Sequence, residues 1–147
     1  MPTADPFDLN RFLEAQAPDY ADALAEIKAG RKQSHWMWYI FPQYDGLAFS
    51  TTSKRYAIKS IAEARAYLEH PILGARLLEC AEALLAVDGR SLAEIFGSPD
   101  DMKLKSSATL FAAVQLPGSV FECILNKYCG GARDMRTIEL LRSPLPK

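Results

Sequence analysis

The sequence predicts an all-α protein, a single compact domain of about eight or nine short helices. Helix-starting signals recur along the chain, where Ser or Asp is followed by proline or by an acidic residue three positions later. No segment alternates apolar and polar residues between hairpin turns, which is the pattern expected of strands. A chain of 147 residues is also long enough to bury one core without metal or disulfide support.

The first half of the chain predicts two helices before an aromatic segment. Asp5, which precedes a proline, is typical of a helix start, and this helix is expected to end near Gln16. Pro18 can occupy the first turn of a second helix, and Gly30 suits its C-terminal end. Residues 47–56 fit either a short helix or an extended loop, and the pattern does not choose between them.

Serine, proline and aspartate residues start the later predicted helices. Two of the serines open capping boxes, since a glutamate follows each of them three positions later. A leucine stripe marks the helix after Pro71 as a core helix. The predicted starts are Ser60, Pro71, Ser91, Ser98, Ser119 and Asp134. Residues 1–142 then form one helical domain, and the tail at 143–147 is expected to be disordered.

Residues 30–43 form the most distinctive stretch of the sequence. Six of the eight residues from His35 to Pro42 are aromatic or strongly apolar, a density typical of a core segment or of a wall that lines a ligand. A short buried helix fits this run, and Pro42 is expected to end it. Polar residues stand at both ends of the run, as in many small-molecule sites. Both interpretations, a core helix and a ligand-binding wall, remain open.

A second unusual position lies on the helix predicted from Pro99 to Gln115. Lys103 and Ser107 fall within its apolar arc, one turn apart. A lysine there either extends its ammonium group to the edge of the apolar surface or lies in a partly dry site that binds an anion. We expect Lys103, His35 and a tryptophan to line one pocket, because buried polar groups need a shared partner.

These observations predict a small soluble protein that binds or processes an anionic, ring-containing small molecule such as a nucleotide derivative. A tryptophan would stack on the ring and basic side chains would neutralise the anion. His35 is the candidate catalytic acid or base, because an unperturbed histidine has a pKa of about 6.5. The candidate ligand-binding residues are Arg31, Lys32, Trp36, Trp38, Gln43, Lys103 and Ser107. The alternative function is a helical protein-interaction module without chemistry, so enzyme activity stays open.

Charge is unevenly distributed along the chain. Residues 1–30 carry two basic and six acidic side chains (−4), residues 31–76 seven and three (+4), residues 77–101 one and six (−5), and residues 102–147 seven and three (+4). If the two basic blocks share a face, an anionic small molecule would be attracted to it. The net charge of −1 argues against nonspecific nucleic-acid binding. The absence of a long apolar run and of a leader argues against membrane insertion or secretion.

Cysteine and histidine usage predicts neither a metal site nor a disulfide framework. The three cysteines, Cys80, Cys123 and Cys129, are odd in number and match no zinc-binding spacing. The two histidines are too far apart in sequence to form a zinc pair on one helix. We therefore expect a cytoplasmic protein without a metal or another cofactor, and the oligomeric state stays open.

Short motifs along almost the whole chain resemble one bacterial family. They include Gly30-Arg31-Lys32, Ser34-His35-Trp36-Met37-Trp38, Phe41-Pro42-Gln43, His70-Pro71, Ile95-Phe96-Gly97 and Thr109-Leu110-Phe111. Together they resemble domain-of-unknown-function family eighteen-ten, whose small stand-alone members are sometimes labelled calpastatin. The resemblance implies a fold and transfers no activity or catalytic residue. A fainter similarity to helical domains that handle ADP-ribose favours a nucleotide-like ligand and transfers no site.

Overall fold

A computed structural model describes residues 5–142 of the chain. Within that range nine α-helices follow one another and no strand forms. The predicted all-α, single compact domain is therefore confirmed. The helices are α1 (Asn10–Lys28), α2 (Met37–Ile40), α3 (Thr51–Tyr56), α4 (Ile61–Glu69), α5 (Leu73–Leu85), α6 (Leu92–Phe96), α7 (Asp100–Ala113), α8 (Val120–Cys129) and α9 (Met135–Arg142).

The first helix, α1, is continuous where the sequence predicts two helices. Pro18 lies inside it, although a proline lacks the N–H group that would bond one turn back. Residues on both sides of Pro18 share a buried face, since Phe12, Ala23 and Ile27 are all fully buried. Burial of this common face stabilises one helix, and the predicted helix boundary at Pro18 is wrong.

The start of α1 also differs from the prediction. The helix begins at Asn10 and not directly after Asp5. The Asp5 carboxylate nevertheless caps it, because its two oxygens accept hydrogen bonds from the backbone N–H groups of Leu9 (2.7 Å) and Asn10 (2.9 Å). Asp8 lies in the intervening turn with a positive φ of 53°, a region in which aspartate is tolerated. The predicted capping chemistry is present, and this turn displaces the helix start.

Serine hydroxyl groups cap four of the later helices. Each accepts a hydrogen bond from the backbone N–H three residues further on; the serines are Ser50, Ser60, Ser91 and Ser119. Ser91 and Glu94 form a complete reciprocal capping box. In the other predicted box, the Glu63 carboxylate instead accepts from the backbone N–H of Lys59 (2.9 Å) and pairs with Arg11. The local sequence therefore determines the serine cap of the helix, whereas the contact with Arg11, 52 positions away in the chain, determines the orientation of the Glu63 carboxylate.

Arg11 joins α1 to the segment between α3 and α4. Its guanidinium lies 2.7 Å from the Glu63 carboxylate, and both side chains are buried. The other donors of the guanidinium reach the backbone carbonyls of Phe7, Asp8, Arg55 and Ala57. An arginine has five N–H donors in all, and each is used here. Arg11 therefore acts as a structural clamp without a free donor for a ligand.

Residues 47–56, for which the sequence allows either a short helix or an extended loop, contain the short helix α3. On either side of it, one isolated parallel bridge joins Tyr44 to Ile58. The backbone N–H of Ile58 donates to the carbonyl of Gln43 (2.8 Å), and that of Asp45 donates to the carbonyl of Ile58 (2.8 Å). These contacts close a loop that holds Gln43 and α3 near the aromatic segment.

A close junction links α4 to α5. His70 is the C-terminal cap of α4, and its Nδ1 atom accepts a hydrogen bond from the backbone N–H of Leu73 (3.1 Å). A Cβ atom at Gly74 would lie 2.0 Å from the backbone carbonyl oxygen of Leu68. Glycine therefore permits this approach, and α5 then packs against α1, α4 and α8. Helix α2 packs against α1, α3 and α7, which places the aromatic segment between the two halves of the chain.

Two further expectations from the sequence concern the C-terminal tail and membrane insertion. Residues 1–4 and 143–147 lie outside the described residues, and so does the tail expected to be disordered. Among the described residues, no helix combines the length and the apolar character needed to cross a bilayer.

Candidate functional site

One carboxylate from α1 shapes the loop that carries most of the predicted site residues. Oε1 of Glu26 accepts hydrogen bonds from the backbone N–H groups of Gln33 (2.7 Å) and Ser34 (2.9 Å) and from the indole Nε1 of Trp36 (2.9 Å). Oε2 accepts from the Ser34 hydroxyl (2.6 Å). Four donors that would otherwise need water thus converge on one side chain. Glu26 fixes both the loop backbone and the orientation of the Trp36 ring.

The ionisation of Glu26 reflects these contacts. Burial by itself raises the pKa of a carboxyl group. The hydrogen bonds from Ser34, Gln33 and Trp36 outweigh it here and lower the pKa of Glu26 from 4.5 to about 2. The carboxylate is therefore ionised at neutral pH, in the form that accepts all four bonds.

Substitution of Glu26 by glutamine is expected to lower the free energy of unfolding at neutral pH by about 2 kcal/mol, a magnitude typical of hydrogen bonds to a charged group. The folded-state pKa lies below the ordinary value, so this stabilisation is complete above pH 4.5 and is lost as the pH falls towards 2. Urea unfolding of both proteins across this range measures the effect. The exposed Glu14 of the same helix, changed to glutamine, is the control. A difference between wild type and Glu26→Gln that stays constant with pH would contradict the assignment.

Trp36 is part of the core, as the first interpretation of the aromatic segment expects. It is 1% exposed. Its ring lies 6.5 Å from that of Phe41 and 6.3 Å from that of Phe96, the latter edge to face. The backbone N–H of Lys32 donates to the carbonyl of Ile95 (2.7 Å), which attaches the loop to α6. Trp36 thus anchors the loop and is enclosed, so a ligand ring cannot stack on it in this conformation.

Two of the predicted lysines meet at a single aspartate. The ammonium of Lys32 lies 2.9 Å from Oδ2 of Asp100, and that of Lys103 lies 3.0 Å from Oδ1. Each ammonium also lies over an indole ring: Lys32 is 5.1 Å from the centroid of Trp36, and Lys103 is 4.0 Å from that of Trp38. These five residues are called the lysine-tryptophan cluster below. They come from the loop, from α2 and from the first turn of α7.

Asp100 is held in its charged form by the two lysines. Burial favours a raised pKa, but the hydrogen bonds and charges of Lys32 and Lys103 prevail and lower the pKa of Asp100 below its ordinary value. The carboxylate neutralises one of the two ammonium groups. The two lysines and Asp100 therefore carry a net charge of +1, although each ammonium contacts the carboxylate.

Trp38 connects the cluster to a small cavity. Trp38 is only partly buried. With Gln43, Tyr44, Ser53 and Tyr56 among its neighbours, it lines a cavity of about 10 Å³, room for one water molecule. Gln43, predicted from sequence alone, therefore reaches the same tryptophan as Lys103.

The other predicted residues lie less close to this centre. Ser107 is fully buried one turn after Lys103, and its hydroxyl has no hydrogen-bond partner among the described residues. Arg31 and His35 are exposed. The backbone carbonyl of His35 accepts from the Tyr39 hydroxyl (3.1 Å), while its ring makes no hydrogen bond within residues 5–142. The structure thus brings Lys32, Lys103 and both tryptophans together without joining the His35 ring to them by any described contact.

Two residues of the site were not predicted. Asp100 lies two residues after the predicted helix start at Ser98, and its spacing from Lys103 places both on one helix face. Asp100 could therefore have been found, at least as the partner of Lys103. Glu26 offered no such signal, because its partners in the loop are seven to ten residues away in sequence.

Comparisons with known proteins give a family and a close structural relative. The family model described as "Protein of unknown function (DUF1810)" matches residues 6–141. The crystal structure of the conserved hypothetical protein Rv1873 from Mycobacterium tuberculosis is 52% identical in sequence, and it matches with a TM-score of 0.93 over 95% of this chain and 100% of that one. A search of curated proteins finds no match.

Proposed function

Since the chain belongs to the family described as a protein of unknown function (DUF1810), a description that supplies no activity, we propose a function from the site itself. The protein binds a small anionic molecule that contains an aromatic ring, such as a nucleotide derivative, at the lysine-tryptophan cluster. The observation that carries the proposal is the Lys103 ammonium held 4.0 Å above the partly exposed Trp38 ring by its ion pair with Asp100.

The charge of the cluster supports binding of an anion. Asp100 pairs with both lysines, so two positive charges face one negative charge. The side chains of Lys103 and Asp100 keep 21% and 18% of their surface exposed, so a ligand can reach them from solvent. Partial burial reduces screening by water and strengthens attraction to an anion.

Trp38 supplies the apolar part of the proposed site. An indole ring can stack on a planar ligand, and a neighbouring cation strengthens its attraction to electron-rich groups. Gln43 lines the cavity beside Trp38 and offers an amide that can both donate and accept. The cavity itself admits only one water-sized group, so it does not hold the ligand ring.

Chemistry at this site would depend on His35. The residue follows Ser34, whose carbonyl accepts a hydrogen bond from the Lys32 ammonium. We propose His35 as the acid or base if the ligand is turned over, because it is the histidine of this loop and imidazole commonly transfers protons in enzymes. All three cysteines are free thiols, which is typical of a protein in the reducing cytoplasm, and we propose this compartment for the protein.

The alternative, an interaction module without chemistry, has one observation in its favour. Several large apolar side chains are exposed, with Leu116 at 85% and Phe49 at 72%. They lie on different elements, α3 and its preceding loop in one case and the α7–α8 connection in the other. Scattered single exposures of this kind are common on soluble proteins. Ligand binding at the cluster is therefore the better supported function.

A thermal-shift screen over nucleotides, nucleotide sugars and sugar phosphates tests the proposal. A ligand at 100 times its Kd adds about 2.7 kcal/mol of stability, which raises the Tm of a protein of this size by roughly 5–10 °C. We expect Lys103→Met and Trp38→Leu to abolish the shift relative to their own ligand-free melts. Lys127→Met is the matched control, because Lys127 also pairs with an aspartate (Asp88, 2.8 Å) beside an aromatic ring.

Two results would argue against the proposed site. If no compound of the screen raises the Tm of the wild-type protein, the cluster is not a site for this class of ligand. If a compound raises the Tm equally in wild type, Lys103→Met and Trp38→Leu, it binds elsewhere on the protein.

A further inference from the structure

The net charge of the lysine-tryptophan cluster indicates which class of anion it binds. This inference rests on the proposed function. We propose that the group bound by the cluster carries a single negative charge, as a carboxylate or a phosphodiester does, and that a dianionic phosphate monoester binds more weakly. The proposal follows from the ion pairs of Asp100 and from the exposure of the two lysines.

The two lysines have different roles. The side chain of Lys32 is only 7% exposed. Its ammonium donates to Asp100 and to the backbone carbonyl of Ser34 and lies over the Trp36 ring. An ammonium has three N–H donors, so this environment occupies most of its capacity. Lys32 therefore compensates the charge of Asp100 from the inner side of the cluster.

Lys103 is the lysine that a ligand can reach. Its side chain is 21% exposed, and its hydrogen bond within the described residues is to Oδ1 of Asp100 at 3.0 Å. The ammonium also lies over the Trp38 ring, 4.0 Å from its centroid. One oxygen of a ligand can therefore bind to Lys103 beside Trp38.

The same contacts disfavour a second negative charge. An anion bound to Lys103 lies close to the Asp100 carboxylate, because both bind the same ammonium. One negative charge on the ligand balances the net charge of +1 carried by the two lysines and Asp100. A second negative charge gives this group of charges a net negative charge and is repelled by Asp100. The other carboxylate of the loop, Glu26, forms no ion pair within 4.0 Å with either lysine and already accepts four hydrogen bonds. Its negative charge also disfavours a dianion.

Two adenine nucleotides that differ in phosphate charge test this inference by titration calorimetry at pH 8. Adenosine 3′,5′-cyclic monophosphate is a monoanion, whereas adenosine 5′-monophosphate is a dianion because its second pKa is about 6. We expect the wild-type protein to bind the cyclic nucleotide at least about tenfold more tightly, a difference of about 1.4 kcal/mol. Asp100→Asn removes the repelling charge and should reduce or reverse this preference.

Asp101→Asn is the matched control for Asp100→Asn. Asp101 neighbours Asp100 in the first turn of α7, and its carboxylate accepts from the backbone N–H of Met102 (2.9 Å) and pairs with neither lysine. This variant should retain the wild-type preference, although its net charge changes by the same amount. The comparison separates charge at the cluster from charge of the whole protein.

The possible outcomes separate this inference from the proposed function. A preference of the wild-type protein for adenosine 5′-monophosphate, or an equal change of preference in Asp100→Asn and Asp101→Asn, would overturn the monoanion assignment and leave ligand binding at the cluster intact. If neither nucleotide binds to wild type at millimolar concentration, the proposed function fails for nucleotides and this inference fails with it. The wild-type comparison decides the question even if Asp100→Asn does not fold.

Discussion

Substitution of Arg11 by methionine is expected to destabilise the protein by about 3–5 kcal/mol, because it leaves the buried Glu63 carboxylate without its partner. The guanidinium lies 2.7 Å from that carboxylate, and methionine can replace its apolar volume but none of its donors. The loss also leaves four backbone carbonyls with one hydrogen bond fewer. Urea unfolding followed by circular dichroism measures the difference.

Two further variants identify the origin of this loss. Arg65→Met, on the exposed side of α4, is the control and should change stability by less than about 0.5 kcal/mol. The double variant Arg11→Met with Glu63→Met removes the unpaired charge but not the unsatisfied carbonyls, so it should recover only part of the stability. Equal stability of Arg11→Met and Arg65→Met would show that the buried pair contributes nothing.

Truncation of Trp36 to alanine is the second change with a large expected effect, again about 3–5 kcal/mol. The substitution opens a cavity beside the rings of Phe41 and Phe96 and removes one of the four donors to Glu26. Trp38→Ala is the matched control within α2. It should cost less, because Trp38 is only partly buried and less apolar area returns to water.

Unfolding monitored by far-ultraviolet circular dichroism avoids the loss of the tryptophan signal in these variants. A Trp36→Ala protein as stable as the Trp38→Ala protein would contradict the core assignment of Trp36. It would also reopen the interpretation in which Trp36 lines a ligand.

Local chemistry explains which parts of the fold could be predicted. The serine caps at Ser91 and Ser119 depend on residues three positions away, so the sequence carries the whole signal. Pro42 likewise ends α2 by its own backbone restriction, and the helix stops at Ile40. At Pro18 the local signal misled, because burial of Phe12 and Ile27 on one face of α1 outweighed the missing hydrogen bond.

The residues of the candidate site were predictable only in part, because some of their contacts depend on residues far away in the sequence. Lys103 stood out because a charge interrupted an apolar arc, and the structure places it on Trp38 and Asp100. That Lys32 would share Asp100 could not be predicted, since 68 positions separate the two along the chain and tertiary packing, including that of the loop against α6, brings them together. The expected convergence of His35 with Lys103 rested on the argument that buried polar groups need a shared partner, and it stays a prediction.

The contacts of Arg11 also set an order of events during synthesis of the chain. All the groups that bind its guanidinium lie between residues 7 and 63. A chain emerging from the ribosome N-terminus first can therefore complete this polar centre before α5 to α9 are made. Lys32 must wait longer, because Asp100 emerges only with α7. We thus expect the clamp between α1 and α4 to be available to guide the first half of the fold, and the lysine-tryptophan cluster to assemble only once α7 has been synthesised.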